Sequence, residues 1–161
     1  METAYDNLIE EIAINIFSTM LNLELCRDEP QADEEGELLL SAVQIAGQWM
    51  GTAVLAISPE LARNCAATML GIPARNADEA DLCEVAAELV NMIGGNLKGT
   101  LPGPSYLSLP TIITGSDYGL HIHKAMLIED VCLRSPVGPL RIRLYERITQ
   151  PDGVAPSPSA A

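Results

Sequence analysis

The sequence predicts an α+β domain in which a largely antiparallel sheet carries helices packed on it. Three observations lead there. A helical apolar period near the amino end is followed by two adjacent strand-like runs; two capped helical segments come next; and the last third reads as further strands. Strands and helices do not alternate as βαβ units, and no phosphate-binding glycine loop opens a helix, which disfavours a nucleotide fold.

Taken in order, residues 4 to 24 place Leu8, Ile9, Ile12, Ile16, Met20 and Leu23 at three- and four-residue intervals, the pattern of an amphipathic helix. The run RDEPQADEEGE, residues 27 to 37, has no apolar period and reads as a mobile acidic loop. Around Gly47, ELLLSAVQIA and QWMGTAVLAI form two β-like runs expected to pair antiparallel. Ser58-Pro59-Glu60 supplies an N-cap, a proline at the first helical position and an acid in the first turn, with Gly71 just past the end of a short second helix. Asn76 or Asp78 caps a third helix through about Lys98, which the two prolines of LPGPS end. YLSLPTIITG, GLHIHKAMLIEDVCLRS and GPLRIRLYERI then read as strands, the last two joined by a Pro136-Val137-Gly138 turn. Residues 1 to 149 are expected to form the domain and residues 150 to 161, rich in Pro, Ser and Ala, a disordered tail.

Composition narrows the function. A chain of 161 residues with 48% hydrophobic content can bury a core without staples. Its formal charge of −13 repels a phosphate backbone, so nucleic acid is not an expected partner. No apolar stretch reaches the roughly 18 residues of a membrane span, and the amino terminus is acidic, so the expectation is a cytoplasmic protein without a membrane contact. Cys26, Cys65, Cys83 and Cys132 show no C-x-x-C spacing and are expected to be buried, reduced and inert. Trp49 and the methionines read as core. His121 and His123 lie two apart in an expected strand, hence on one face, but no third ligand is suggested by spacing and no metal site is expected.

The third helix is the informative one. At about 100° per residue, Leu82, Val85, Ala86, Leu89, Ile93 and Leu97 share one apolar sector, while Glu84, Glu88, Asn91, Gly95 and Lys98 fall on the opposite side. An interior Asn with Gly94 and Gly95 costs roughly 2 kcal/mol relative to alanines. One reading is a low surface against which a second protein settles while Glu88 and Asn91 project; the other is that the glycines mark an early helix end and the acids a solvated face.

Glu88-x-x-Asn91, followed by Gly95-Asn96 and by LPTIITG at 109 to 115, resembles the CheC/CheX/FliY family of chemotaxis phosphatases. GTAVLAISPELARNCAATMLG resembles the family's strand-then-helix segment, so the likeness runs over residues 4 to 147. On the first helix Glu10 and Glu11 are followed three residues on by Ala13 and Ile14, and Asn15 stands four after Glu11, so a second Glu-x-x-Asn site is missing and the chain is CheX-like. The family pattern has Asp or Ser where this sequence has Glu84. The resemblance implies a phosphatase acting on the aspartyl phosphate of a CheY-like receiver. It further implies that Asn91 orients the attacking water, Glu88 pairs with a receiver lysine, and Glu84 and Gly95 contribute to docking. The magnesium ion would belong to the receiver, with no cofactor in this chain. Relatives of the CheX type are dimers that join sheets edge to edge, and GPLRIRLYERI is a candidate for that edge, although its Arg/apolar alternation equally fits a lone half-solvated strand. The alternative function is a non-catalytic binding or adaptor module for a receiver or a motor or signalling complex.

Overall fold

The computed structural model describes residues 7–29, 38–115 and 119–148. Helix α1 (Leu8–Met20) leads into the short strand β1 (Cys26–Arg27). Strands β2 (Leu38–Gly47) and β3 (Gly51–Ile57) follow, then helices α2 (Pro59–Leu70) and α3 (Glu79–Thr100), with a 3-10 turn at Ala74–Asn76 between them. Strands β4 (Ser105–Leu107), β5 (Thr111–Gly115), β6 (Ala125–Arg134) and β7 (Pro139–Arg147) complete the sheet. The strand order is β1-β6-β7-β3-β2-β4, with β5 also on β2, and every pairing is antiparallel. The α+β expectation is met.

Strand alternation divides the sheet's two faces. Leu39, Val43 and Ile45 of β2, Leu55 and Ile57 of β3, and Ile142 and Leu144 of β7 join the three helices in the main core. Leu40, Val54 and Ala56 point the other way, where Leu120 and Ile122 from the segment after β5 cover them together with Tyr145. The helices therefore occupy one face, and a connecting segment shields part of the other. Trp49 is buried in the main core as expected.

Several expectations need correction. The strand read into GLHIHKAMLIEDVCLRS starts only at Ala125, because Lys124 has φ of 55°, a left-handed conformation that interrupts extended backbone. His121 and His123 thus lie outside any strand, exposed, with ring centroids 6.4 Å apart and tilted by 55°. YLSLPTIITG is two strands, not one: Pro110 has no N–H to give a ladder, and the backbone N–H of Ser108 donates to the Gln44 carbonyl (2.9 Å) while its Oγ accepts from the Gln44 N–H (2.9 Å). GPLRIRLYERI is not an edge, since β7 lies between β6 and β3. Its alternation reflects two faces: Leu140, Ile142 and Leu144 are buried, whereas Arg141 on the other side donates to Asp130 from Nε (2.8 Å) and Nη2 (2.6 Å). Of the cysteines only Cys65 is buried, its thiol pushed up to about 12 by burial; Cys26 is exposed and Cys83 and Cys132 are half-buried. Met20 and Met126 are more than half exposed instead of in the core, Met20 being the last residue of α1. Arg27, expected in the acidic loop, lies in β1 and pairs with Leu133 of β6; residues 30–37 of that loop and the tail from residue 149 lie outside the described residues.

Candidate functional site

Helix α3 is set in place from both ends. Asp78 and Asp81 form a capping box, in which the Asp81 N–H donates to Asp78 Oδ1 (2.9 Å) and the Asp78 N–H to Asp81 Oδ2 (3.0 Å). The carboxylates also complement the positive end of the helix. At the far end the Leu101 N–H still reaches the Leu97 carbonyl (2.9 Å) before Pro102 prevents continuation. Between these limits α3 runs for 22 residues without a break at its glycines, so the reading of Gly94-Gly95 as an early helix end is overturned.

The two glycines do different things. A Cβ at Gly94 would lie 2.8 Å from Val43 Cγ1 of β2 and 3.1 Å from Leu107 Cδ2 of β4, so the missing side chain is what lets α3 lie this close to the sheet. A Cβ at Gly95 would meet nothing within 4 Å. Gly94 thus belongs to the packing, and Gly95 to the outer surface. Sequence periodicity offered no signal for the role of Gly94, because its neighbours come from strands some fifty residues earlier and a dozen later, separations to which a local pattern is blind.

Leu82, Val85, Ala86, Leu89, Ile93 and Leu97 are all buried, as the period requires. On the opposite sector Glu84, Glu88, Gly95 and Lys98 are exposed and Asn91 is half-buried. At 1.5 Å rise per residue, Glu88 and Asn91 stand about 4.5 Å apart along the axis, on neighbouring turns of one surface. None of the ion pairs among the described residues uses Glu84, Glu88 or Lys98, and no side-chain hydrogen bond there occupies the Asn91 amide. The contrast with Asn96 is informative, since its Nδ2 donates to the Met92 carbonyl (2.8 Å) and is spent on its own helix. The structure therefore brings together the four site residues read from the sequence and leaves Glu88 and Asn91 without partners among the described residues.

Chemically, such a strip supplies one carboxylate for a cation and one amide that both donates and accepts. It offers no nucleophile–base pair of its own: a lone amide beside a carboxylate suits the positioning of groups brought by another molecule. Among the described residues, no helix is long and apolar enough to cross a membrane.

Comparison with known proteins agrees with this geometry. Residues 39–128, more than half of the chain, match the family model described as chemotaxis phosphatase CheX. No curated protein sequence matches. Among solved structures, chemotaxis protein CheX from Vibrio vulnificus superposes with a TM-score of 0.72 at 20% identity, covering 88% of this chain and 95% of the other. A CheC-like superfamily protein from Shewanella sp. PV-4 gives 0.71 at 20% identity, covering 91% and 99%. A CheX-CheY-BeF3-Mg2+ complex from Borrelia burgdorferi gives 0.66 at 19% identity, again covering 91% and 99%. At such identities the structural likeness speaks for the fold, and the family model supplies the rest: this chain belongs to the CheX family of chemotaxis phosphatases.

Proposed function

We propose that the exposed face of α3 enters the active site of a phosphorylated CheY-like receiver and accelerates hydrolysis of its aspartyl phosphate. The observation that carries this reading is the pairing of an unoccupied carboxylate at Glu88 with an unoccupied amide at Asn91 on one ordered helix surface. The likeness to a CheX structure complexed with CheY, BeF3 and Mg2+ supports a receiver as the partner.

In this reaction water attacks phosphorus in line as the bond to the receiver's aspartyl oxygen breaks, and the helper protein has little covalent work to do. The Asn91 amide holds the water, accepting one of its protons in a hydrogen bond or donating to its oxygen, so that the attacking lone pair faces phosphorus. An aspartate in its place would bring negative charge to an already anionic phosphoryl group. Glu88 meets a lysine of the receiver and fixes the depth and rotation of the insertion. Glu84, one turn earlier, extends the same acidic contact, and bare Gly95 lets the receiver's backbone approach the helix. The magnesium ion in this scheme is held by the receiver, and the encounter takes place in the cytoplasm.

Asn91→Ala tests the assignment. Loss of an oriented water costs about 2 to 3 kcal/mol of barrier, roughly a hundredfold in the stimulated rate. The thermal midpoint should stay near that of the unmodified protein, because the Asn91 side chain makes no hydrogen bond among the described residues. Retention of the full stimulated rate by this variant, measured as phosphate release from a phosphorylated receiver, rules the site out.

A further inference from the structure

Glu84 and Glu88 precede Asn91 on the exposed strip of α3, and Lys98 follows it. Seven residues separate Asn91 from Lys98, two turns that bring the side chains back to nearly the same angle at roughly 10 Å along the axis. Between them lies Gly95, with open space where its side chain would be. Read from one end to the other, the strip is carboxylate, carboxylate, amide, bare backbone, ammonium. Lys98 is exposed and takes part in no ion pair among the described residues.

The surrounding charge sharpens its meaning. With 22 acidic and 9 basic side chains, the chain's net charge disfavours the approach of a partner's carboxylate. Lys98 is a local exception at one end of the candidate site. A strip that is negative before the amide and positive after it is not symmetric about Asn91, so a partner with matching charges docks in one direction along the helix and is penalised in the other.

We propose that Lys98 is a specificity-determining residue of the phosphatase: it receives a surface carboxylate of the receiver about two helical turns from the point where Asn91 acts, and so sets which receivers, and which docking direction, are accepted. This rests on the reading of α3 as the receiver-docking helix. Lys98 touches neither the water nor the phosphoryl group, so its signature is in recognition rather than turnover.

The test uses the full chain and a CheY-like receiver phosphorylated with a small-molecule phosphodonor, with Asn91→Ala measured alongside. Lys98→Glu should raise KM about fivefold at low ionic strength while kcat stays within about twofold, the size expected of a rim ion pair. The increase should shrink in about 0.5 M salt as screening removes it. Lys98→Gln, which leaves the helix end less perturbed, should show a smaller rise of the same kind. Changing the receiver's surface carboxylates to lysine one at a time should yield one variant that Lys98→Glu accepts better than the unmodified enzyme does. Unchanged KM in both Lys98 variants, or a fall confined to kcat, overturns the proposal while an inactive Asn91→Ala leaves the site reading intact. An active Asn91→Ala removes the site reading, and this inference with it.

Discussion

Helices α1 and α3 lie side by side on one face of the sheet, and each carries glutamates near an asparagine, yet the surroundings of Glu10 and Glu88 differ. On α1, Glu10 is taken by Arg27 of β1, whose Nε donates to Oε1 (2.9 Å) and whose Nη2 also reaches Asn7 Oδ1 (2.7 Å). Hydrogen bonding to that guanidinium holds the Glu10 carboxyl below its ordinary value, against the opposing effect of burial. Three residues after Glu10 comes buried Ala13, and three after Glu11 comes Ile14. On α3 the corresponding spacing gives Glu88 and Asn91, both without partners among the described residues. An acidic residue on a helix is thus uninformative until its surroundings are known; on α1 Glu10 binds a strand through Arg27, whereas on α3 Glu88 meets no cation among the described residues.

The largest effect that could break this contrast comes from making one substitution on both helices. Asn91→Ala should lower receiver dephosphorylation roughly a hundredfold, and Asn15→Ala, at an exposed asparagine four residues from Glu11, should leave it unchanged. Equal losses from the two would dissolve the distinction between the helices.

A smaller effect separates the two glycines of α3. Gly95→Ala introduces a side chain into open space and should stabilise the protein by up to about 1 kcal/mol through helix propensity. Gly94→Ala gains the same propensity but must displace Val43 or Leu107, and the overpacking should leave a net loss of about 1 kcal/mol. Urea unfolding of the two variants is expected to give opposite signs, and a shared sign would mean that α3 is not held tightly against β2 and β4.

The smallest effect concerns acid. Glu10 and Asp130 both have their carboxyls lowered, first by hydrogen bonds to Arg27 and Arg141. A carboxyl lowered on folding stabilises the native state above its unfolded value and loses that contribution as pH falls through its folded value. Stability should therefore decline below about pH 4, where the ordinary carboxyl values lie, and Glu10→Gln should flatten part of that decline. A thermal midpoint falling equally steeply in the variant would show that the Glu10–Arg27 pair contributes nothing.

These comparisons also show what could be read from the chain alone. The buried sector of α3 was legible because Leu82, Leu89 and Ile93 repeat at the helical period, and its outer strip followed by subtraction. The start of α3 was narrowed to Asn76 or Asp78, and the reciprocal partner Asp81 shows why Asp78 takes the cap. Strand neighbours were less accessible. Alternation in GPLRIRLYERI reports that β7 has two unlike faces, but a strand inside the sheet and one at its margin can share that pattern when Arg141 has Asp130 beside it. Apolar Leu120 and Ile122 alternate like a strand because they cover the second face of the sheet, so only Lys124's backbone reveals that the strand has not begun. The fit of Gly94 against Val43 and Leu107 depends on contacts distant in the chain, which no local period records.

Where the ladder between β6 and β7 shifts register, between Leu127 and Glu129, the carboxylate of Glu129 reaches α1 and accepts from the Ile9 N–H (2.9 and 3.1 Å) and the Glu10 N–H (3.2 Å). First-turn amides of a helix ordinarily open to solvent and trade their protons early. Here those two are tethered to a strand more than a hundred residues away in sequence, so their deuterium uptake should keep pace with β6 rather than with the fraying start of a helix. Early uptake at Ile9 while β6 stays protected would show that the tether opens on its own.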